Sequence, residues 1–240
     1  MKKIKTYLIS FLFAFMFYEN SVAGTGAASE YKITIYKIEL CDSSSTASVC
    51  NGSVTLYDGN SGTIDIANTT AGASAASLGN VSSAKFGTSY TYMQITMGRA
   101  FTVKGSAADD SSTTCYTNDG ESGSASTLSQ GSASSSDLDS TTLYAAMVGT
   151  SVGDNLTGLS SLTDTSGVAG TIESADEYFM YRQELASTFK MEPGDIPTVE
   201  VAFGTSAAVG AIGDMGAACN TVSASVGMYA AEPDVTVTIK

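Results

Sequence analysis

The chain contains no histidine and no tryptophan, and only three of its 240 residues are proline. Without histidine, the usual general base of hydrolases and the commonest transition-metal ligand are both missing. No Ser-His-Asp triad can form, so Gly149-Thr150-Ser151-Val152-Gly153, a match to G-x-S-x-G, reads as coincidence. Basic residues are scarce as well: 11 Lys and Arg stand against 24 Asp and Glu, a net charge of −13. Such a chain repels nucleic acid and anionic lipid. The few prolines leave no Pro-rich linker, and no internal period marks a repeat array. With tryptophan absent and most tyrosines in strand phase, the aromatics read as core and rim, not as a sugar-stacking platform.

Long hydrophobic runs are also lacking. The apolar stretch at residues 7–18 is too short to cross a hydrocarbon layer of about 30 Å, and nothing comparable follows it. It lies between Lys2, Lys3 and Lys5 on one side and Ser21-Val22-Ala23 on the other, the pattern of a secretory signal peptide. Residues 1–23 are therefore read as a signal peptide, and residues 24–240 as a single domain with no membrane span after cleavage. No cysteine stands at the cleavage site, which argues against a lipid anchor. The expected destination is the outside or surface of a bacterial cell, by way of the periplasm. Removing residues 1–23 takes away three lysines and one acid, leaving 8 basic and 23 acidic residues and a net charge of −15.

Four cysteines remain in the exported part: Cys41, Cys50, Cys115 and Cys219. Behind a signal peptide an even count favours disulfides, and the spacings lack any C-x-x-C pair suited to zinc. Of three connectivities, Cys41 with Cys50 and Cys115 with Cys219 is preferred, because the first two bracket the short polar loop DSSSTASV. The chain-entropy relation gives about 2.7 kcal/mol for the small loop and about 4.8 kcal/mol for the large one.

What is present is period-two patterning. In residues 31–41, YKITIYKIELC, the apolar positions Tyr31, Ile33 and Ile35 alternate with Lys32 and Thr34, and then the phase flips to Tyr36, Ile38 and Leu40 against Lys37 and Glu39. A slip of that kind marks a β-bulge or a strand crossing between packed sheets. Residues 54–57 and 63–66 flank Asp58-Gly59-Asn60-Ser61-Gly62, a hairpin signal. Residues 90–103 form the longest strand pattern, interrupted by Gly98 and Arg99, where a bend is expected to send Arg99 to water or to an edge. Residues 105–142 are rich in Ser, Gly, Ala and Asp and read as a long excursion pinned at Cys115. Residues 173–192 fit a helix capped by Ser174 and Glu177, but aromatic content and the following Pro193-Gly194 favour strands. Residues 197–203 and 235–239 close the chain as two further strands.

These pieces resemble a family of bacterial exported domains of unknown function with an immunoglobulin-like or transthyretin-like β-sandwich. The likeness rests on ITIYKIEL, TIDIANTTAG, GTSYTYMQITM, GDIPTVEVAF and PDVTVTIK. It implies an antiparallel β-sandwich displayed at the cell surface and carries over no active-site residues. The four cysteines and the Ser/Gly-rich insert depart from the family pattern.

Clustered oxygens make calcium the one cofactor the sequence suggests: Asp58, Asn60 and Asp65 in one loop, and Asn118, Asp119 and Glu121 in another with Asp109 and Asp110 nearby. Turn chemistry explains the same residues without a metal. Acidic pairs such as Asp176 with Glu177, or Glu184 with Glu192, read as solvated surface, and the sequons at Asn51, Asn68, Asn80 and Asn155 as incidental. The expected function is non-catalytic: a structural or adhesive surface protein, self-associating as a homopolymer or filament subunit or binding a surface partner. Strand exchange would use residues 31–40 (Tyr31, Ile33, Ile35, Ile38, Leu40) or 235–239 (Val235, Val237, Ile239). The alternative is a secreted glycan- or calcium-binding sandwich module.

Overall fold

The computed structural model describes residues 24–47, 49–68, 81–119, 124, 127–144, 156–158, 177–195, 197–221, 223 and 226–239. Among these the fold is all-β, without an α-helix, and sandwich-like. The expected signal peptide at 1–23, Glu121, the 149–153 motif, Asn80, Asn155 and Asp176 lie outside the described residues.

The spine is β2 (Ala28–Asp42). Along one of its edges run β3 (Val54–Asp58) and β4 (Thr63–Asp65), one after the other. They pair with β2 and not with each other, so the expected hairpin is instead one interrupted strand. The reason lies in β2. Ile35 and Tyr36, consecutive residues, both turn their carbonyls to this edge, accepting from Ser61 N–H and Gly59 N–H at 3.0 and 2.9 Å. That is a bulge, and residues 59–62 bow outward to follow it. The extra residue moves the buried set from Tyr31, Ile33 and Ile35 to Ile38 and Leu40, so one face stays apolar through the bend.

Along the other edge of β2 run β5 (Ser89–Gly98) and β6 (Ala100–Ala108), again end to end. The sheet forks at the residue between them. On the far side of β5 lies β10 (Tyr178–Lys190), and on the far side of β6 lie β7 (Thr114–Tyr116) and β8 (Thr141–Tyr144). Arg99 sits at the fork, its N–H donating to the Glu177 carbonyl at 3.1 Å. Its side chain is buried, not solvated as the sequence suggested, and its guanidinium lies 5.9 Å from the centre of the Tyr144 ring. An aromatic face at the parting of two strands gives a cation a seat that the strand pattern alone does not show.

Residues 178–190 are strand, as the aromatic content favoured. The second edge of β10 is shared by β9 (Leu156–Gly158) and β14 (Asp234–Ile239), and β14 also pairs with β11 (Val199–Gly204). The β10–β14 contact is parallel, so the main sheet is mixed and the antiparallel expectation fails at this pair. A long detour between β11 and β14 brings the last strand back on the inner side of β11, running with β10. That detour holds β12 (Val209–Ile212) and β13 (Gly227–Ala230), which with β1 (Gly24–Gly26) form a separate three-stranded sheet. It packs against β6 at very close range: a side chain at Gly26 would fall on the Ser106 carbonyl, and one at Gly105 on the Ala27 carbonyl. Only glycine permits two backbones to meet in this way.

The faces enclose one apolar core. Tyr31 and Phe101 pack with ring centres 5.3 Å apart, and Phe101 and Phe179 at 6.0 Å. Both expected disulfides are present, Cys41–Cys50 and Cys115–Cys219. The second draws the 105–142 segment onto the body. Thr117 N–H donates to the Gly105 carbonyl, Gly131 N–H to Ala218 and Ser129 N–H to Met228, while Leu128 and Ser129 are buried. The described part of this segment is therefore folded against the sandwich. Main-chain bonding and a covalent tie replace the apolar surface it lacks.

Candidate functional site: the seat of the C-terminal strand

Alternation within β14 places Val235, Val237 and Ile239 toward the core and Asp234, Thr236 and Thr238 away from it. Val237 is fully buried. Six register pairs, from Val199 with Ile239 to Gly204 with Asp234, hold β14 to β11, whereas Leu185 with Val237 is the one register pair that holds it to β10. Beside Val235 lies an apolar cleft of about 50 Å³, walled by Tyr31, Ile33, Ile35, Phe179, Phe203 and Ala230 among others. The cleft leaves the atoms of its wall without contacts on that side.

The approach to β14 is Ala231-Glu232-Pro233. Ala231 N–H donates to the Ala208 carbonyl at 3.0 Å, and the Tyr31 hydroxyl donates to the Ala231 carbonyl at 2.8 Å. Burial, with Glu232 nearby, pushes the Tyr31 phenol well above its ordinary range, so it stays a neutral donor. Burial also raises Tyr181, aided by Glu232 and Asp234, and its hydroxyl donates to Gln183 at 2.7 Å. The structure thus gathers four of the residues named for strand exchange, Tyr31, Ile33, Ile35 and Val235, around one cleft. Ile38 and Leu40 lie past the bulge and pair with Tyr57 and Val54. β2 is bonded along both edges at the centre of the sheet, an unfavourable strand to lend; β14 also lies between two strands, but is held on its β10 side by a single register pair.

The residues suggested for calcium are divided. Asp58 stands opposite Lys37 and Asp65 opposite Lys32, five positions along β2, or roughly 17 Å. Asn60 Oδ1 accepts from Gly62 N–H at 2.8 Å, and Asp65 accepts from Tyr31 N–H, Ala67 N–H and the Asn68 amide. Apart from the bond to Tyr31, which ties Asp65 to β2, these are turn bonds, and among the described residues no three His, Cys, Asp or Glu group as metal ligands would. Asp119 borders an open polar hollow of about 380 Å³ with Asn118, Asp137 and Asp139. Asp137 accepts from the Ser132 hydroxyl at 2.7 Å and Asp139 from Lys104 Nζ at 3.5 Å.

Two polar arrangements escaped the sequence reading. On the outer face of the main sheet, Glu39, Gln94 and Arg182 form a cross-strand row, all buried. Gln94 Nε2 donates to Glu39 Oε2 and Lys37 Nζ pairs with Glu39 Oε1, both at 2.8 Å. The Cys41–Cys50 loop covers the row, and Arg182 donates to its Ala47 carbonyl at 3.3 Å. Burial lowers the Arg182 pKa against the opposing pull of Glu39. At another corner, buried Asp109 accepts from Ser111 N–H, the Ser111 hydroxyl and Thr113 N–H through one oxygen, and from Gly216 N–H at 2.6 Å through the other. Burial acts to raise its pKa, but these bonds outweigh burial and hold the carboxyl below its usual range. They pin two left-handed residues, Ser112 and Met215, at φ 66° and 54°. Alternating charge between Lys37 and Glu39 and the D-D-S-S run were the only signals in the sequence.

Comparison with protein-family models, curated proteins and solved structures finds no match to this chain.

Proposed function

We propose that this chain is an exported, non-catalytic structural or adhesive surface protein whose copies associate by exchange of β14, as subunits of an extracellular filament do. The observation that carries this reading is the seat of β14: a strand joined to β10 at one register pair, beside a cleft walled by apolar residues of β2. A strand lent by a neighbour would make the same bonds to β11 and β10, so exchange costs few contacts.

Other features support the reading. Two disulfides suit an oxidising compartment, and no helix among the described residues is long and apolar enough to cross a membrane.

The test uses the register of β11 and β14, in which Val201 and Val237 stand opposite each other. With Val201→Cys and Val237→Cys together, exchange links chains into a ladder on a non-reducing gel, and electron microscopy of concentrated protein shows filaments. Links confined within single chains at high concentration, with no filaments, would rule exchange out.

A further inference from the structure

We infer that Tyr36 and Tyr178 form an oxidative cross-linking site on the outer face of the main sheet, where a peroxidase-type one-electron oxidant joins the two rings through an ortho carbon of each. The inference goes beyond strand exchange and does not rest on it, because both residues belong to the body of the sandwich.

The two tyrosines stand on strands that are not neighbours. β5 runs between β2 and β10, and Gly98 is the β5 residue opposite Tyr178. Tyr36 is the extra residue of the β2 bulge, falling between Ile35 opposite Met97 and Lys37 opposite Thr96. A bulge re-aims its side chain, and here the Tyr36 ring is sent over Gly98, its Cε2 3.6 Å from where a side-chain carbon at Gly98 would stand. Because glycine leaves that place open, rings from two separated strands meet above it. Their centres are 4.4 Å apart and their planes cross at 77°. Two phenols joined by a single bond have centres almost this close and planes twisted apart, so little movement separates the pair from the coupled product. Cε2 is itself an ortho carbon of Tyr36, a position at which phenoxyl radicals couple.

Exposure and a proton acceptor complete the site. Tyr36 and Tyr178 are half-exposed, whereas Tyr31, Tyr90 and Tyr181 are buried. Burial, with hydrogen bonding to Tyr36 and to the exposed Glu177, raises the Tyr178 pKa, so at neutral pH this phenol keeps its proton. The Glu177 carboxylate is then the group that takes the proton as the electron leaves. The oxidant removes one electron and one proton from each phenol. The radicals, held in contact, join carbon to carbon before they meet a second chain. Each ortho hydrogen then moves to oxygen and both rings regain aromaticity, while one hydrogen peroxide, taking the two electrons and two protons, becomes two waters. The product staples β2 to β10 across β5 by a bond that thiols do not reduce, unlike either disulfide.

The experiment treats the dilute, purified chain with a plant peroxidase and one equivalent of hydrogen peroxide, with circular dichroism confirming that each variant is folded. Dityrosine fluorescence is expected in a species that runs as a monomer on a denaturing gel and is lighter by two hydrogens. Digestion and mass spectrometry should find the peptides holding Tyr36 and Tyr178 joined. Tyr36→Phe and Tyr178→Phe each keep a ring in place and each abolish the link. Gly98→Val fills the space between the strands and lowers its yield, and Glu177→Gln slows its formation roughly tenfold. No coupling, coupling that survives either phenylalanine variant, or coupling only between chains overturns the inference, and a rate indifferent to Glu177→Gln strikes Glu177 from the site. The Val201→Cys, Val237→Cys links report strand exchange separately, so the failure of one reading is told from the failure of the other.

Discussion

The hydroxyl of Tyr31 donates to the carbonyl of Ala231 at 2.8 Å, joining residues 200 positions apart in the sequence. One end of this bond lies on the central strand, and the other on the short approach that delivers β14 to its seat. Tyr31→Phe keeps the ring packed on Phe101 and removes only the donor. A buried acceptor left without its partner costs about 1–2 kcal/mol, so the Tm falls by roughly 2–8 °C, measurable by thermal unfolding. Added to the Val201→Cys, Val237→Cys background, Tyr31→Phe should also raise the yield of interchain links, since the approach to β14 is then less firmly held.

The two disulfides are unequal. Cys41 and Cys50 are 9 residues apart, Cys115 and Cys219 are 104 apart. Replacing the first pair with alanine is expected to cost about 2.7 kcal/mol and the second about 4.8 kcal/mol, read from urea unfolding midpoints. Equal losses would show that the short loop stabilises through its cover over Glu39, Gln94 and Arg182, and not through chain entropy alone.

Asp109 couples stability to pH on the acid side. Its carboxyl is held below the usual range in the folded state, so its contribution is complete above the ordinary carboxyl value near 3.8 and is lost as pH falls through the lower folded value. Wild-type stability is therefore expected to drop steeply below about pH 4. Asp109→Asn removes the charge and one acceptor, lowers stability at pH 7 by about 1–3 kcal/mol and flattens that acid limb. Urea midpoints between pH 2 and 7 test both statements. An unchanged acid limb in the variant would move the titration to another carboxyl.

Much of the sandwich is legible in the sequence because alternation is a one-dimensional signal. The phase slip after Ile35 marks the bulge of β2, and the aromatic run at 178–190 marks β10 over the competing helix. What the chain order conceals is partner choice. Residues 54–57 and 63–66 carry a hairpin pattern, yet the bulge in β2 offers both of them the same edge. Glycine before Arg99 suggested a bend outward, but an aromatic neighbour 45 positions later receives the side chain. Low apolar content made 105–142 look like an excursion pinned at Cys115 alone, although backbone bonds also seat its described part. The cleft was half visible: strand phase named Tyr31, Ile33, Ile35 and Val235, but only the parallel return of β14 brings the last of these to the others.

The place of β14 in the sheet also sets a timetable. A chain is made from its first residue to its last, and β10 is complete well before residues 234–239 exist. Until they arrive, Leu185 and the end of β10 beyond β9 await their neighbour, and the apolar wall at Tyr31, Ile33 and Ile35 lacks its lid. A newly made molecule thus leaves that apolar wall open to other extended segments until residues 234–239 are in place. Under the proposed reading, whatever receives the chain must shield that surface for the interval, or supply the β14 of a molecule that came before.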